Sequence, residues 1–226
     1  MTHVSYCTTC KGRLWQLKQT LPVNLESMID GEDIVLLDYH SKDGLEDYIK
    51  TNYLEELACG KLKYYKLLTP VDGFDMAYAK HIVHMLADGN KLFNLDADNF
   101  IGTSREEIWR LPKNILLVSF KMPGTATSRG GRIGVNKADY NRIGGYNCRM
   151  LGMTGDDGNF VERAIRQGLR LTTTKDRSIP IQQTDEYKQI HVIKRPEGFR
   201  HLTSVTVLDH LNQQRVVRLD LQGTAI

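Results

Sequence analysis

The chain has 226 residues, 41% of them hydrophobic, which is enough to bury the core of one α/β domain. It carries 30 Lys and Arg residues against 27 Asp and Glu residues, and the formal net charge of +3 is too small to indicate a nucleic-acid or membrane surface. No apolar run approaches the roughly 20 residues that span a bilayer, and the first residues lack a basic and apolar leader. We therefore expect a soluble, cytoplasmic protein with no transmembrane segment and no nucleic-acid partner.

Short apolar runs alternate with helical patterns through about the first hundred residues, which is typical of βαβ units. The candidate strands are His3 to Cys7, Ile34 to Leu37, Lys61 to Leu68, Leu92 to Leu95, Ile115 to Phe120 and Arg132 to Val135. Helical spacing links Leu14, Leu17 and Leu21, and also Ile82, Met85 and Leu86, with Asp88-Gly89 as the expected stop of that second helix. The pattern predicts an α/β fold with a mostly parallel sheet flanked by helices, whose ligands sit beyond the carboxyl ends of the strands.

The second half of the chain is less regular. Asn136 is a candidate N-cap of a short helix that Gly144-Gly145 closes. A further helix over Asp157 to Gln167 is expected to bury Phe160, Ala164 and Ile165 and to end at Gly168. Alternating apolar residues predict a final hairpin, namely Val205, Val207, Val216, Val217, Leu219 and Leu221 around a turn at Asn212-Gln213-Gln214. Because no linker or repeat divides the chain, we expect one domain over residues 1–226 with a small C-terminal β appendage.

The four cysteines do not predict a disulfide framework, because Cys7, Cys10, Cys59 and Cys148 are few and unevenly spaced. The Cys7-x-x-Cys10 pair matches a redox site or half of a zinc site, but no second such pair follows it. We expect reduced thiols.

The most informative segment is an apolar strand that ends in the acidic turn Asp96-Ala97-Asp98. Mg²⁺ and Mn²⁺ prefer oxygen ligands and commonly take one or two carboxylates while substrate phosphates complete the shell. The alternative interpretation is a solvated turn, in which Asp and Asn are common.

Three further segments accompany this turn: Ala77-Tyr78-Ala79-Lys80-His81 with Ala87-Asp88-Gly89, then Gly144-Gly145-Tyr146-Asn147, then Gly155-Asp156-Asp157 with Arg163. In this order they resemble the motifs of the GT-A glycosyltransferases, especially the large inverting family with an Asp-x-Asp turn. His81 stands where that family usually has Asn. The resemblance covers roughly residues 3 to 170.

The resemblance implies roles for residues of both halves of the chain. Asp157 would be the catalytic base, and Asp156 would bind or orient the acceptor. The Asp96-Ala97-Asp98 turn would bind the donor. Asp98 would hold Mn²⁺ or Mg²⁺, Asp96 would join the metal site or contact the ribose or a metal-bound water, and Lys80 would lie near the nucleotide. Both acidic residues at 156 and 157 are also suited to capping a helix, a role that is compatible with catalysis.

Further donor contacts are implied at the ends of the first two strands. Thr8 and Arg13 lie in the expected nucleotide-facing segment. Asp38 would form a polar contact with a uracil-type edge of the base, and Tyr39 would stack on the base. An ordinary Asx turn is the alternative for Asp38.

One histidine beyond the acidic pair completes the metal shell in many relatives, and here His191 fits by its separation from Asp157. His201 and His210 are the other histidines in that region, His81 and His84 form a weaker pair, and a structural histidine is the alternative. The loop Gly124 to Gly131 resembles the acceptor-side loop.

The resemblance thus implies a donor-binding half over residues 1–100, an acceptor-binding half over 101–185 and a C-terminal extension over 186–226. The expected reaction transfers a sugar from a nucleotide diphosphate donor, UDP-linked or GDP-linked, to an acceptor hydroxyl of a glycan or other molecule, with inversion. A sugar-phosphate nucleotidyltransferase and a non-catalytic sugar-nucleotide or glycan-binding module are the alternatives. The single glycine between Thr8 and Arg13 disfavours the first, and the intact aspartates disfavour the second.

Overall fold

The computed structural model describes residues 1–69, 73–119, 131–150, 155–182 and 204–218. Its strands, in chain order, are β1 (Val4–Cys10), β2 (Glu32–Asp38), β3 (Leu62–Leu67), β4 (Lys91–Leu95), β5 (Ile115–Val118), β6 (Arg132–Asn136), β7 (Arg170–Thr173), β8 (Ser204–Asp209) and β9 (Gln214–Arg218). Its helices are α1 (Leu14–Ser27), α2 (Leu45–Asn52), α3 (Leu54–Ala58), α4 (Met76–Leu86), α5 (Ser104–Trp109), α6 (Lys137–Ile143) and α7 (Asp156–Arg166).

The described strands form one sheet in the order β7-β5-β6-β4-β1-β2-β3-β8-β9. The central strands β3, β2, β1 and β4 are parallel, as the alternation of strands and helices predicts. Antiparallel pairing begins on either side, at β6 against β4 and at β8 against β3. The α/β class is therefore confirmed, and the parallel arrangement holds for the centre of a mixed sheet.

Each face of the sheet is covered by its own set of helices. Buried residues of α4, α6 and α7, such as Ile82, Tyr140 and Phe160, form a core on one face. On the other face α1, α2 and α5 contribute Leu17, Ile49 and other buried residues. Because helices cover both faces, all seven residues of β1 and of β2 are buried, with no alternation of buried and exposed positions.

Two details of the helices differ from the sequence-based expectations. The helix α4 ends at Leu86, before the expected stop, and Gly89 instead allows close backbone packing, because a Cβ there would lie 2.6 Å from the Ser5 backbone nitrogen. Ile165 was expected in the core but is 50% exposed, because only Phe160 and Ala164 of that stretch face the sheet. Gly144 and Gly168 do end their helices with positive φ angles of 82°.

The expected C-terminal hairpin is present as β8 and β9, with Asn212 at a positive φ of 59° in its turn. It is continuous with the main sheet, because β8 pairs with the edge of β3. Leu219 and Leu221 lie outside the described residues. None of the described helices is both long and apolar enough to span a membrane.

Candidate active site

The acidic turn follows β4 at the carboxyl end of the parallel strands. Its first residue, Asp96, donates its backbone N–H to the Gly131 carbonyl at 3.1 Å, and Asn94 Nδ2 donates to Asp96 Oδ1 at 3.1 Å. A Cβ on Gly131 would lie 2.1 Å from Asp96 Oδ2, and the φ of Gly131 is +83°. Glycine is therefore required where β6 begins, because the carboxylate of Asp96 rests against that backbone.

Lys80 brings a buried ammonium group to this carboxylate. It lies on α4, its side chain is 1% exposed, and its Nζ is 3.4 Å from Asp96 Oδ1. The same nitrogen lies 2.7 Å from Asp156 Oδ2 and 2.8 Å from Asp157 Oδ1. A lysine is rarely buried unless it is paired, and here one ammonium is shared by three carboxylates from two distant parts of the chain.

The two acidic residues of α7 differ in their environment. Both occupy the first turn of the helix after Gly155, where negative charge interacts favourably with the helix dipole. The Asp156 side chain is 9% exposed and faces Lys80, whereas the Asp157 side chain is 28% exposed. Asp157 also accepts hydrogen bonds from the Tyr146 hydroxyl and the Gly131 backbone N–H, both at 3.2 Å. Asp157 is thus both held firmly and accessible.

Aromatic rings form the floor beneath the charged groups. The Lys80 ammonium lies over the Tyr146 ring, 5.5 Å from its centroid, and that ring stacks on Phe160 at 4.7 Å. His84 stacks on Tyr140 at 5.0 Å and donates from Nδ1 to the Lys80 carbonyl at 2.7 Å. Burial lowers the pKa of His84 to about 3, so this ring is neutral. This aromatic layer covers the buried side of the ion cluster.

His81, which stands where the resembled family has Asn, packs in the same layer. Its Nδ1 lies 3.2 Å from the Tyr140 hydroxyl, and a Cβ on Gly145 would lie 2.4 Å from that nitrogen. Gly145 therefore has to be glycine both for its positive φ of 64° and for the space that His81 occupies. In the described arrangement His81 supports the floor of the site.

The carboxyl groups titrate under opposing influences. Burial raises the pKa of Asp96 to about 6, with Lys80 opposing the shift and Asp157 and Asp98 adding to it. Burial likewise raises the pKa of Asp98, which Arg13 opposes. For Asp157 burial is outweighed by the Lys80 ammonium and by its hydrogen bonds, which hold its pKa below the ordinary value. Asp157 is therefore the carboxylate of the cluster that is most firmly ionised at neutral pH.

A small cleft opens beside Asp96. Its lining residues are Thr9, Lys11, Arg13, Phe74, Met76, Asp96 and Ala97. Arg13, Asp96 and Ala97 are therefore found together, as the resemblance implies. Thr8 is buried in β1 and does not line this cleft, and because successive side chains of a strand point to opposite faces, its neighbour Thr9 does. Lys11 and Phe74 were not identified from the sequence, although a basic residue in the turn after the first strand was a usable signal.

The turn after β2 differs from the expectation for Asp38 and Tyr39. Asp38 is 1% exposed, and its two oxygens accept hydrogen bonds from the Ser41 backbone N–H at 2.6 Å and the Tyr64 hydroxyl at 2.7 Å. This is the Asx turn that was the alternative interpretation. Tyr39 is fully buried and packs edge-to-face on Phe74, so neither side chain is placed to contact a base. The Lys80 ammonium, also expected near the donor, is buried beneath the carboxylates.

Several expected site residues belong to segments outside the described part of the chain. His191, His201 and most of the Gly124 to Gly131 loop lie outside the described residues, and so does the segment 151–154 within the second motif. Within the part of the chain that the structure describes, no group of three or more His, Cys, Asp or Glu side chains is arranged to hold a metal ion. A cation at the acidic turn would therefore rely on one or two protein carboxylates.

The fold has clear counterparts among solved structures, although no protein-family model and no curated protein sequence matches the chain. A mannosyltransferase from Pyrobaculum calidifontis, in complex with GDP-Man and Mn²⁺, superposes with a TM-score of 0.62 at 16% identity, over 77% of this chain and 55% of that one. TarS from S. aureus, in complex with UDP-GlcNAc, gives a TM-score of 0.59 at 14% identity, over 78% and 57% of the two chains. The catalytic domain of Drosophila β1,4-galactosyltransferase 7 gives 0.59 at 13% identity, over 88% and 77%.

These similarities define the fold class first: an α/β domain with a large mixed sheet flanked by helices. More narrowly, the chain has the GT-A glycosyltransferase fold. It spans about half the length of the first two of these structures.

Proposed function

We propose that the protein is a metal-dependent glycosyltransferase that moves a sugar from a nucleoside diphosphate donor, UDP-linked or GDP-linked, to an acceptor hydroxyl. The observation that carries the proposal is the convergence of Asp96 with Asp156 and Asp157 on one buried ammonium. Residues from both sequence motifs thus lie in one site. The structural counterparts with GDP-Man, UDP-GlcNAc and Mn²⁺ support the same reaction class at the level of the fold.

The acidic turn suits a hard divalent cation, Mn²⁺ or Mg²⁺, held by few protein ligands. Asp98 is half-buried at the end of the sheet, and its Oδ1 already accepts a hydrogen bond from Asn99 Nδ2 at 2.8 Å, which orients the carboxylate. Asp98 would be the direct ligand, with Asp96 reaching the ion or the ribose. When bound, such a cation offsets the negative charge that develops on a departing diphosphate. His191 remains a proposed additional ligand.

The basic residues beside the turn suit the phosphates of the donor. Lys11 and Arg13 line the same cleft as Asp96 and Ala97, so positive side chains flank the position where the acidic turn would meet a diphosphate. Phe74 and Met76 supply the apolar part of the cleft wall. We therefore assign donor contacts to Thr9, Lys11 and Arg13 in addition to the acidic turn.

Asp157 is the proposed general base. It is the more exposed member of its pair, its position is fixed by three donors, and its lowered pKa keeps it ionised. It would accept the proton of the acceptor hydroxyl while the acceptor oxygen bonds to the anomeric carbon and the bond from that carbon to the phosphate oxygen breaks. Attack from the face opposite the leaving diphosphate would invert the anomeric centre. Asp156 would support the acceptor side.

The first experiment screens UDP-sugars and GDP-sugars for thermal stabilisation with and without Mn²⁺, followed by assays of donor hydrolysis and transfer. A donor at 100 times its Kd is expected to add about 2.7 kcal/mol to the free energy of unfolding. Stabilisation by a donor with Mn²⁺, together with release of the nucleoside diphosphate, is the expected outcome. Binding without any turnover would indicate the non-catalytic module, and release of inorganic diphosphate from a nucleoside triphosphate would indicate a nucleotidyltransferase.

The base assignment is tested by Asp157→Asn, which keeps the shape of the side chain but removes its proton affinity. We expect kcat to fall by roughly 10²-fold to 10⁴-fold while donor affinity stays near the wild-type value, because a transition-state role is lost. Asp88→Asn, at a carboxylate 60% exposed and paired with Lys63, is the matched control and is expected to be neutral. Normal turnover by Asp157→Asn would refute this assignment.

A further inference from the structure

The helix α1 buries three polar side chains in a row, at a spacing of four residues. Gln16, Thr20 and Asn24 are 0%, 1% and 4% exposed, and they lie on the side of the helix that packs on the sheet. Burying a polar group is costly unless it forms hydrogen bonds. A row of such groups within an apolar core therefore indicates specific partners.

The partners of two of these residues are backbone groups of the acidic turn and the residues just after it. The Thr20 hydroxyl donates to the Ala97 carbonyl at 2.7 Å, and Asn24 Nδ2 donates to the Asn99 carbonyl at 3.0 Å. Asn24 Oδ1 also accepts the Ile101 backbone N–H at 2.9 Å. Side chains of α1 thus form hydrogen bonds with the backbone on both sides of Asp98.

The third residue acts through a neighbouring segment. Gln16 Nε2 donates to the Ile181 carbonyl at 2.8 Å, and the Ile181 backbone N–H donates to the Asp98 carbonyl at 2.8 Å. The carbonyls of Ala97 and Asn99 therefore accept hydrogen bonds from α1 directly, and the carbonyl of Asp98 is linked to α1 through Ile181. Three consecutive peptide planes are fixed in this way.

We propose that Gln16, Thr20 and Asn24 are positioning residues that hold the acidic turn in the orientation required for metal and donor binding, an inference that rests on the proposed function. Rotation of the peptide planes at 97–99 would move the carboxylates of Asp96 and Asp98 relative to each other. Groups that orient the ligands of a metal commonly change its affinity by roughly 10-fold to 100-fold when they are removed. The polar row on α1 supplies that orientation from the core.

The test compares Thr20→Val, which removes the hydroxyl at nearly constant volume, with Thr20→Ser, which keeps it. We measure Mn²⁺-dependent binding of UDP by calorimetry and amide hydrogen exchange at residues 96–99. Thr20→Val is expected to weaken binding roughly tenfold and to speed exchange at the turn, whereas Thr20→Ser restores both. Thr20→Ala is the second hydroxyl-free variant if Val at this position impairs folding.

The matched control is Tyr6→Phe, which removes a buried hydrogen bond of 2.9 Å to Glu32 at the opposite end of β1. It should lower stability without changing UDP binding or exchange at the turn. Equal weakening of binding by Tyr6→Phe, or wild-type binding and exchange in Thr20→Val, would overturn the inference. If the wild-type protein binds no UDP with Mn²⁺, the proposed function fails for that nucleotide, and the exchange measurement still decides whether the polar row holds the turn.

Discussion

Two sets of aspartates lie near the carboxyl edge of the parallel strands, yet their surroundings differ. Asp38, the last residue of β2, is 1% exposed, and its two oxygens accept hydrogen bonds from the Ser41 backbone N–H and the Tyr64 hydroxyl. Asp96 and Asp157 keep 23% and 28% of their side chains exposed, and they share the Lys80 ammonium with Asp156. The first arrangement is closed, and the second remains open to a ligand.

This contrast shows how an aspartate that stabilises the fold can be distinguished from an aspartate that is a candidate for ligand binding. Asp38 lies among neutral donors that satisfy its oxygens and fix the turn, and burial raises its pKa. The cluster around Lys80 instead concentrates three carboxylates on one cation, which leaves an excess of negative charge where Asp96 and Asp157 are partly exposed. Such crowding is costly for folding and useful for binding a cation, so its energetic cost should be measurable.

The largest expected stability effect is that of Lys80→Met, which leaves three carboxylates without their shared cation. We expect the free energy of unfolding to fall by about 3–5 kcal/mol, because breaking a buried ion pair leaves uncompensated charge. Urea denaturation at pH 7 measures the change. Lys50→Met is the matched control, since Lys50 pairs with Glu46 at a side-chain exposure of 43%, and should cost less than about 1 kcal/mol. Equal losses in the two variants would show that the buried Lys80 cluster contributes no more to stability than an exposed ion pair.

The sequence predicted most of the fold because its central strands are short, apolar and followed by helices, features that are local. Motif order also singled out Asp96, Asp156 and Asp157, which the fold brings to one ammonium group. The role of Asp98 as a metal ligand stays a prediction. The sequence did not predict β7, whose residues Arg170–Thr173 are all exposed and lack an apolar pattern. The antiparallel pairing of β6 and β8 depends on distant partners, which no local pattern specifies.

The misplaced donor contacts have a similar cause. The motif predicts that Asp38 lies at a strand end. Only the fold shows that the Tyr64 hydroxyl, on the neighbouring strand β3, donates a hydrogen bond to its carboxylate. Likewise Lys80 was expected near the donor, and its role depends on carboxylates that lie far away in sequence. The polar row on α1 had a readable signal, since Gln16, Thr20 and Asn24 recur at helical spacing, but their partners become visible only in three dimensions.

A smaller effect concerns the neutral His84 beneath the open cluster, which packs on the rings of Tyr140 and Tyr146. Lys80, His81 and Asp157 also influence its titration. Its pKa falls to about 3 in the fold from the ordinary value of 6.5, so below pH 6.5 the unfolded chain takes up a proton that the folded protein does not. The contribution of neutral His84 to the free energy of unfolding is therefore complete above pH 6.5 and is lost progressively as the pH falls toward 3. At pH 5 this loss amounts to about 2 kcal/mol relative to pH 7.

The matching experiment compares urea unfolding of wild type and His84→Gln at pH 7 and pH 5. The variant should lose about 2 kcal/mol less on acidification, because its side chain does not titrate. Parallel pH profiles for wild type and His84→Gln would show that the floor of the site is not closed to protons.

The smallest expected effect belongs to the closed aspartate, and it tests the comparison most directly. In Asp38→Asn the amide oxygen can still accept the Ser41 N–H, and the amide group can still bond the Tyr64 hydroxyl in the reverse sense, so we expect a stability loss of about 1 kcal/mol. Mn²⁺-dependent donor affinity should stay within about twofold of wild type, whereas Asp98→Asn should weaken it roughly tenfold or more. Both variants remove one negative charge at the same edge of the sheet, so a general electrostatic effect on the donor would appear in both. A loss of donor affinity confined to Asp98→Asn would mean that only the aspartate with direct access to the ligand contributes to binding. A comparable loss in Asp38→Asn would show that Asp38 also belongs to the donor site.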